Sequence, residues 1–147
     1  MLQKIKHLGT ATLTFCVLSL PLVAKADLTV DNQTFFPSTS KINNQNGHAQ
    51  CSSAIPIYGV TKPQSKNVIP QGIIWSACIA NLHACTAEVY MTNDCTGPVI
   101  ATAVFDISTG IKSINNLYGP EGFMLANPPR SPFYIDIMGG PAAITIY

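Results

Sequence analysis

The feature that most constrains the fold is how often proline and glycine interrupt the chain after residue 50. The 147 residues include 11 prolines and 10 glycines. Beyond the N-terminal region, no segment keeps a 3.6-residue apolar stripe over about ten residues. Because proline in a helix interior removes a hydrogen bond and clashes with the preceding turn, the pattern favours short strands joined by turns.

Short apolar or alternating runs recur between these interruptions, as in strands that bury one face. About seven or eight such runs predict an all-β domain, a small antiparallel β-sandwich or barrel. Ala54–Val60 is broken by proline and glycine and suits an edge strand or bulge. The main predicted strands are Ile73–Ile79, Glu88–Thr92, Val99–Ile107, Ile111–Leu117, Phe123–Leu125, Phe133–Met138 and Ala142–Tyr147.

Two segments fit this pattern less well. Residues 27–50 are polar and poorly patterned, and they predict an N-terminal strand at most, followed by a loop. The alternative to a purely β domain is a sheet with one short helix near Ala77–Ala84. The only tryptophan, Trp75, is expected in the core near Cys78.

The first 26 residues have the layout of a secretory signal peptide. A basic start precedes the apolar run Leu13–Ala24, and Ala24-Lys25-Ala26 forms a small-x-small cleavage signal. The apolar run is too short to cross a bilayer comfortably. We therefore expect residues 1–26 to be removed. Residues 27–147 should form one exported domain, periplasmic or extracellular, with no transmembrane segment in the mature chain.

The charge of the mature chain excludes two classes of partner. After cleavage, five lysines and arginines face seven carboxylates, a net charge of −2. No basic cluster is present. The sequence therefore offers no electrostatic footprint for nucleic acid, and no polybasic patch for anionic lipid.

Four cysteines remain after cleavage, because Cys16 lies within the signal peptide. An even number in an exported chain predicts two disulfides. Cys78 and Cys85 flank a short polar connector and would lie opposite each other in a hairpin, within cross-strand reach. Cys85 and Cys95 would stand at the two ends of one strand, further apart than the roughly 7 Å that a bridge allows. We therefore predict the pairs Cys78–Cys85 and Cys51–Cys95.

A metal site is the alternative use of the same residues. Cys78, His83, Cys85 and Cys95 lie in one short window, but their spacing matches no known zinc pattern. Exported thiols also tend to oxidise before they bind zinc. We therefore expect no metal and no cofactor.

Candidate catalytic residues are few. Asp106 and Asp136 each interrupt an apolar strand, and on neighbouring strands they would form a glycosidase-like pair or a calcium site. The plainer interpretation is two outward-facing acids. His48 and His83 lie in polar loops, with no nucleophile motif near them.

Residues 118–134 form the best candidate contact surface. This stretch is rich in proline and glycine, and rigid loops that carry aromatic residues and an arginine are typical of contact surfaces. The alternative is a long connection whose apolar residues cap the core. The pattern suggests that Phe123, Met124, Arg130 and Phe133 are exposed. The candidate binding residues are Tyr118, Phe123, Met124, Arg130, Phe133 and Tyr134.

The sequence favours a non-enzymatic secreted or periplasmic protein that binds a protein or glycan partner through a sheet face or the 118–134 loop. One alternative is a small exported hydrolase acting on polysaccharide or cell-wall material. Another is a subunit of a surface assembly, in which an edge or terminal strand completes a neighbour. Asn32-Gln33-Thr34 is a glycosylation sequon, relevant only where the source glycosylates its exports.

Overall fold

The computed structural model describes residues 26–43, 49–117 and 121–142. The predicted signal peptide lies almost wholly outside these residues, as does the predicted strand Ala142–Tyr147. His48 and Tyr118 also lie outside them. The corresponding expectations stay predictions.

Within the described residues, nine strands form two sheets, and one short α-helix lies beside them. The first sheet has the strand order β4-β1-β9-β8, and the second has the order β3-β2-β5-β6-β7. The elements are β1 (Leu28–Asn32), β2 (Thr39–Ile42), β3 (Gln50–Cys51), β4 (Ser65–Ile69), α1 (Gln71–Ala77), β5 (Cys85–Tyr90), β6 (Val99–Asp106), β7 (Gly110–Asn116), β8 (Met124–Leu125) and β9 (Tyr134–Met138).

The two sheets pack face to face through alternating side chains, because successive residues of a strand point to opposite faces. Val30 and Ile137 of the first sheet meet Val89 and Ala103 of the second in one apolar cluster. The all-β sandwich is thereby confirmed. One pairing departs from the antiparallel expectation: β1 runs parallel to β9. The chain returns to the first sheet at β8, after β5, β6 and β7 in the second.

The two predicted disulfides are confirmed. Cys51 and Cys95 join β3 to the turn after β5, and their Cα atoms are 5.8 Å apart. Cys78 and Cys85 join the end of α1 to the start of β5, with Cα atoms 5.4 Å apart. Because all four sulfur atoms are in bridges, the alternative metal site at these cysteines is wrong.

The strand predicted at Ile73–Ile79 is wrong, because Gln71–Ala77 forms α1. Two turns are too short to show a helical period, and adjacent isoleucines with a tryptophan favour a strand locally. Tertiary contacts decide instead: Ile74 is buried with Cys78 and Phe105. Trp75 is 46% exposed, so its expected place in the core is also wrong.

The N-terminal segment is more ordered than its composition predicts. It supplies both β1 and β2, and β1 is an inner strand of the first sheet, between β4 and β9. The edge strand or bulge expected at Ala54–Val60 is instead a loop that follows a 3₁₀ turn at Ser52–Ala54, whereas the more polar Ser65–Ile69 forms β4. Although β4 is largely polar, it pairs with β1 along five residues, from Leu28 opposite Ile69 to Asn32 opposite Ser65.

A buried asparagine organises the loop after β1. Asn32 is 0% exposed, and its Nδ2 donates a hydrogen bond to the carbonyl of Phe36 at 2.7 Å. Its Oδ1 accepts from the backbone N–H of Thr34 at 3.1 Å and from the Thr34 hydroxyl at 2.8 Å. The side chain therefore satisfies polar groups that burial would otherwise leave unpaired. In the folded protein, the asparagine of this sequon therefore holds the loop together through its side-chain hydrogen bonds.

Candidate functional site

The outer face of the first sheet carries a buried carboxylate held by an arginine. The side chain of Asp136, on β9, is 5% exposed. Arg130 donates to it twice, from Nε to Oδ2 at 2.9 Å and from Nη2 to Oδ1 at 2.5 Å. Gln33 donates a third hydrogen bond, from Nε2 to Oδ1 at 3.0 Å. The two hydrogen bonds from Arg130 form a bidentate contact with the carboxylate, which fixes the plane of the guanidinium.

Two further residues complete the cluster around Arg130. Asp31 lies directly beside Asp136, because β1 and β9 pair in that register. The hydroxyl of Tyr134 donates to Oδ2 of Asp31 at 3.0 Å. The Arg130 guanidinium lies over the ring of Tyr134, 4.3 Å from its centroid, within the range of a cation–π contact.

The cluster raises the pKa of Arg130 and leaves its side chain accessible to solvent. Hydrogen bonding to Asp136 is the main cause that raises the pKa of the Arg130 guanidinium above its ordinary value. Burial opposes this shift, and the charge of Asp136 adds to it. The Arg130 side chain is 52% exposed. The arrangement therefore presents a permanently charged, oriented hydrogen-bond donor to solvent.

Exposed apolar residues flank this cluster. Met124 is paired with Met138 at the β8 edge, and Val68 is exposed on the β4 side. Lys66 is the neighbour of Asp31 on β4. We refer to this surface as the first-sheet face; its residues are Asp31, Lys66, Val68, Met124, Arg130, Tyr134, Asp136 and Met138.

The segment that precedes β9 positions Arg130. The carbonyl of Pro132 accepts a hydrogen bond from the backbone N–H of Ile111 at 2.8 Å. Nδ2 of Asn127 donates to the carbonyl of Ile114 at 3.2 Å. Gly110, with φ 97°, lies so close to Pro132 that no Cβ fits there. The segment therefore rests along the outer edge of β7, a strand edge that would otherwise be open to another chain.

The structure divides the predicted binding residues. Arg130 and Tyr134 meet in the cluster, and Met124 is exposed at the edge. The expectation that Phe123 is exposed is wrong: it is 5% exposed and packs in the core, edge-on to Phe36. Phe133 is half-buried and packs edge-on to Phe105. These two aromatic residues cap the core, as the alternative interpretation of the 118–134 loop describes.

The two candidate acids lie on different sheets, Asp106 on β6 and Asp136 on β9. They are therefore not on neighbouring strands, the placement an acid pair requires. Asp106 accepts from the N–H of Ser108 at 2.7 Å, and His83 lies 3.2 Å from its other oxygen. The Ser108 hydrogen bond is the main cause that lowers the pKa of Asp106, against a smaller opposing effect of burial. Asp106 thus caps the turn before β7.

Sequence reasoning missed Asp31 and Gln33. Asp31 and Asp136 are direct register partners on neighbouring strands, and their pairing depends on a parallel register between distant segments. The one local signal was the polar Asp31 within the apolar start of β1. Both oxygens of Asp136 accept hydrogen bonds from Arg130, so this carboxylate orients the arginine.

Within the described residues, no three histidine, cysteine, aspartate or glutamate side chains come together as metal ligands. Among the helices of the same residues, none combines the length and the apolar character that crossing a membrane requires.

The fold and the bridges define a small β-sandwich held by two disulfides. The family model described as "T2SS substrate NttC" matches residues 1–127, and the chain belongs to this family. The crystal structure of the Legionella pneumophila type II secretion system substrate NttC is similar in fold, with a TM-score of 0.58 and 23% sequence identity over 80% of this chain and 100% of that chain. No curated protein matches this chain.

Proposed function

We propose that this protein leaves the cell by the type II secretion route and acts outside it as a non-enzymatic binding protein. Its contact surface is the first-sheet face, and its partner is another protein. The observation that carries the proposal is the Arg130 guanidinium, which is fixed by Asp136 and exposed to solvent.

A pre-oriented arginine lowers the cost of binding. An arginine on a flexible side chain loses rotamer freedom when a partner immobilises it, at a cost of about 0.5–1.5 kcal/mol. Here Asp136 and the ring of Tyr134 already hold the guanidinium. Arginine and tyrosine are also the residue types that dominate binding energy at protein interfaces.

The composition of the face supports a protein partner. Interfaces between proteins are enriched in aromatic residues, methionine and arginine around a core that excludes water. The first-sheet face combines Tyr134 and Arg130 with Met124, Met138 and Val68. The exposed methionine adapts its shape to a partner because its side chain is unbranched.

Export supports the proposed place of action. The family to which the chain belongs is named for substrates of the type II secretion system, and such a substrate passes through the periplasm to the outside. The bacterial periplasm is an oxidising compartment, and each of the two disulfides of the described chain joins two different parts of the fold. A protein with bridges of this kind keeps its shape in the extracellular medium.

The test places a photo-crosslinking amino acid at single positions of the mature, oxidised chain. Val68 and Met124 report on the first-sheet face, and Ser113, exposed on β7 of the second sheet, is the matched control. The labelled protein is incubated with intact cells that it meets after export, then irradiated. We expect a discrete protein adduct from positions 68 and 124 and none from position 113.

The substitution Arg130→Gln should remove that adduct, whereas Lys112→Gln, which removes a cation from the second sheet, should leave it unchanged. Equal adducts from both sheets, or an adduct that persists in Arg130→Gln, would contradict the proposed surface. Binding that survives protease treatment of the cells and disappears after glycosidase treatment would replace the protein partner with a glycan.

A further inference from the structure

A second site lies inside the sandwich, away from the first-sheet face. We propose that an apolar cavity between the sheets, with the vestibule beside it, binds an uncharged single-chain amphiphile. The alkyl end of the ligand lies in the cavity, and its polar end lies in the vestibule.

The cavity has a volume of about 110 Å³, and small side chains create it. Ala87 and Ala103 are cross-strand partners in the middle of the second sheet, and both line the cavity. Val30 and Ile135 face them from the first sheet. Because two alanines stand where larger apolar residues would fill the layer, the sheets leave space between them.

The cavity favours an apolar occupant over water. A buried water needs about two to four polar partners, and two of the hydroxyls that line the cavity already donate to backbone carbonyls. Thr39 donates to the carbonyl of Thr92 at 2.8 Å, and Ser52 donates to the carbonyl of Gly59 at 2.5 Å. An apolar cavity of about 150 Å³ in another protein binds benzene, so this cavity suits the last few carbons of an alkyl chain.

The vestibule continues the cavity and has a volume of about 310 Å³. Ile42, Ser52, Ile55, Ile73 and Ala77 line both spaces. Gln50 and Ser76 add polar groups to the vestibule alone. An amphiphile that enters between the 52–59 loop and α1 would therefore meet polar side chains first and apolar ones further in.

The charge of the lining selects the head group. Among the described residues that line either space, none carries a formal charge. A carboxylate or phosphate brought there would lose water without gaining an ionic partner, which is costly. A hydroxyl or sugar head group would lose less, because Gln50 and Ser76 can hydrogen-bond to it.

A strained residue lies close to two cavity-lining residues in the sequence. Ile57 has φ 73°, a left-handed conformation that is a genuine outlier for a β-branched side chain. Its side chain is 86% exposed, so packing does not explain the strain. Ile55 and Tyr58, which lie on either side of Ile57 in the sequence, both line the cavity. Backbone strain of this kind clusters at ligand sites.

The test is a titration of the ¹⁵N-labelled, oxidised mature chain with 1-octanol and with octanoate at neutral pH, below micelle formation. These probes share a chain length and differ in head-group charge. We expect 1-octanol to shift the amide signals of β5, β6 and α1 saturably. Octanoate should bind at least tenfold more weakly. Absence of saturation with 1-octanol, or equal binding of the two probes, would overturn the proposal.

Variants make the location of the site testable. Ala103→Leu and, separately, Ala87→Leu place bulk inside the cavity, whereas Thr102→Leu places it on the outer face of β6. Thermal unfolding shows which variants fold. We expect a folded cavity variant to lose octanol binding at least tenfold while Thr102→Leu keeps it. Unchanged binding in a folded Ala103→Leu or Ala87→Leu variant would refute the assigned cavity.

Discussion

The two disulfides close loops of very different length, and this difference predicts how much each one stabilises the fold. Cys51 and Cys95 are 44 residues apart, whereas Cys78 and Cys85 are 7 apart. A bridge removes chain entropy from the unfolded state by an amount that grows with the logarithm of the loop length. At about 25 °C this model gives about 4 kcal/mol for the long loop and about 2.4 kcal/mol for the short one.

The measurement is urea unfolding of two double variants, Cys51→Ala/Cys95→Ala and Cys78→Ala/Cys85→Ala. We expect the first to lose about 1.6 kcal/mol more of its free energy of unfolding than the second. Each variant removes two sulfur atoms, so the packing losses are of similar kind. The slope of free energy against urea should be recorded as well, because a larger unfolded state raises it.

The reduced wild-type chain is the control, since it lacks both bridges without any substitution. Its free energy of unfolding should lie below that of either double variant. Equal losses in the two variants, or a larger loss from the short loop, would refute the loop-closure reasoning. Such a result would mean that the Cys78–Cys85 bridge stabilises the fold mainly by holding the end of α1 against β5.

Three further predictions concern single residues. Ile57→Asn should stabilise the fold by about 1 kcal/mol in thermal or urea unfolding, because asparagine tolerates the left-handed conformation that an isoleucine adopts at a cost; the exposed Ile79→Asn should change little. Asn32→Ala should destabilise by about 2–3 kcal/mol in urea, because it leaves buried backbone groups unpaired, and a loss under 0.5 kcal/mol would contradict this. Asp106→Asn tests a pH dependence: because the folded pKa lies below the ordinary 3.8, the carboxylate stabilises the fold above that pH, and the stabilisation is lost as the pH falls through the folded pKa. The variant should therefore be less stable than wild type at pH 6, with a gap that narrows in acid; a constant gap would contradict the assignment.

The Cys78–Cys85 disulfide was predicted correctly, although the secondary structure predicted around it was wrong. The pair Cys78–Cys85 was expected across a hairpin, yet Cys78 follows a helix. Both pictures bring the two sulfurs together, because only seven residues separate the cysteines. The alternative with one short helix expected it near Ala77–Ala84, whereas α1 is Gln71–Ala77. Its position was not predictable, since Ile73 and Ile74 favour strand locally and the burial of Ile74 is a tertiary effect.

Some residues of the candidate site could be predicted from the sequence, and others depend on contacts between distant segments. Arg130 lies in a proline- and glycine-rich segment that ends where Tyr134 begins β9, so composition pointed to both residues. Asp31 joins them only because β1 and β9 pair in parallel, a contact between segments more than a hundred residues apart. Phe123 sits next to exposed Met124, and one sequence cannot show which of two neighbouring residues faces the core.

The burial of Asn32 has a practical consequence for making this protein. Its side-chain amide, the acceptor group of a glycosylation sequon, is fully enclosed and donates to the Phe36 carbonyl in the folded chain. A host that attaches sugar to nascent chains would modify Asn32 before that enclosure forms, and the folded loop has no room for the glycan. Production in a eukaryotic secretory pathway should therefore yield misfolded material. A bacterial periplasm, which oxidises cysteines without adding sugar at this sequon, is the suitable place to produce it.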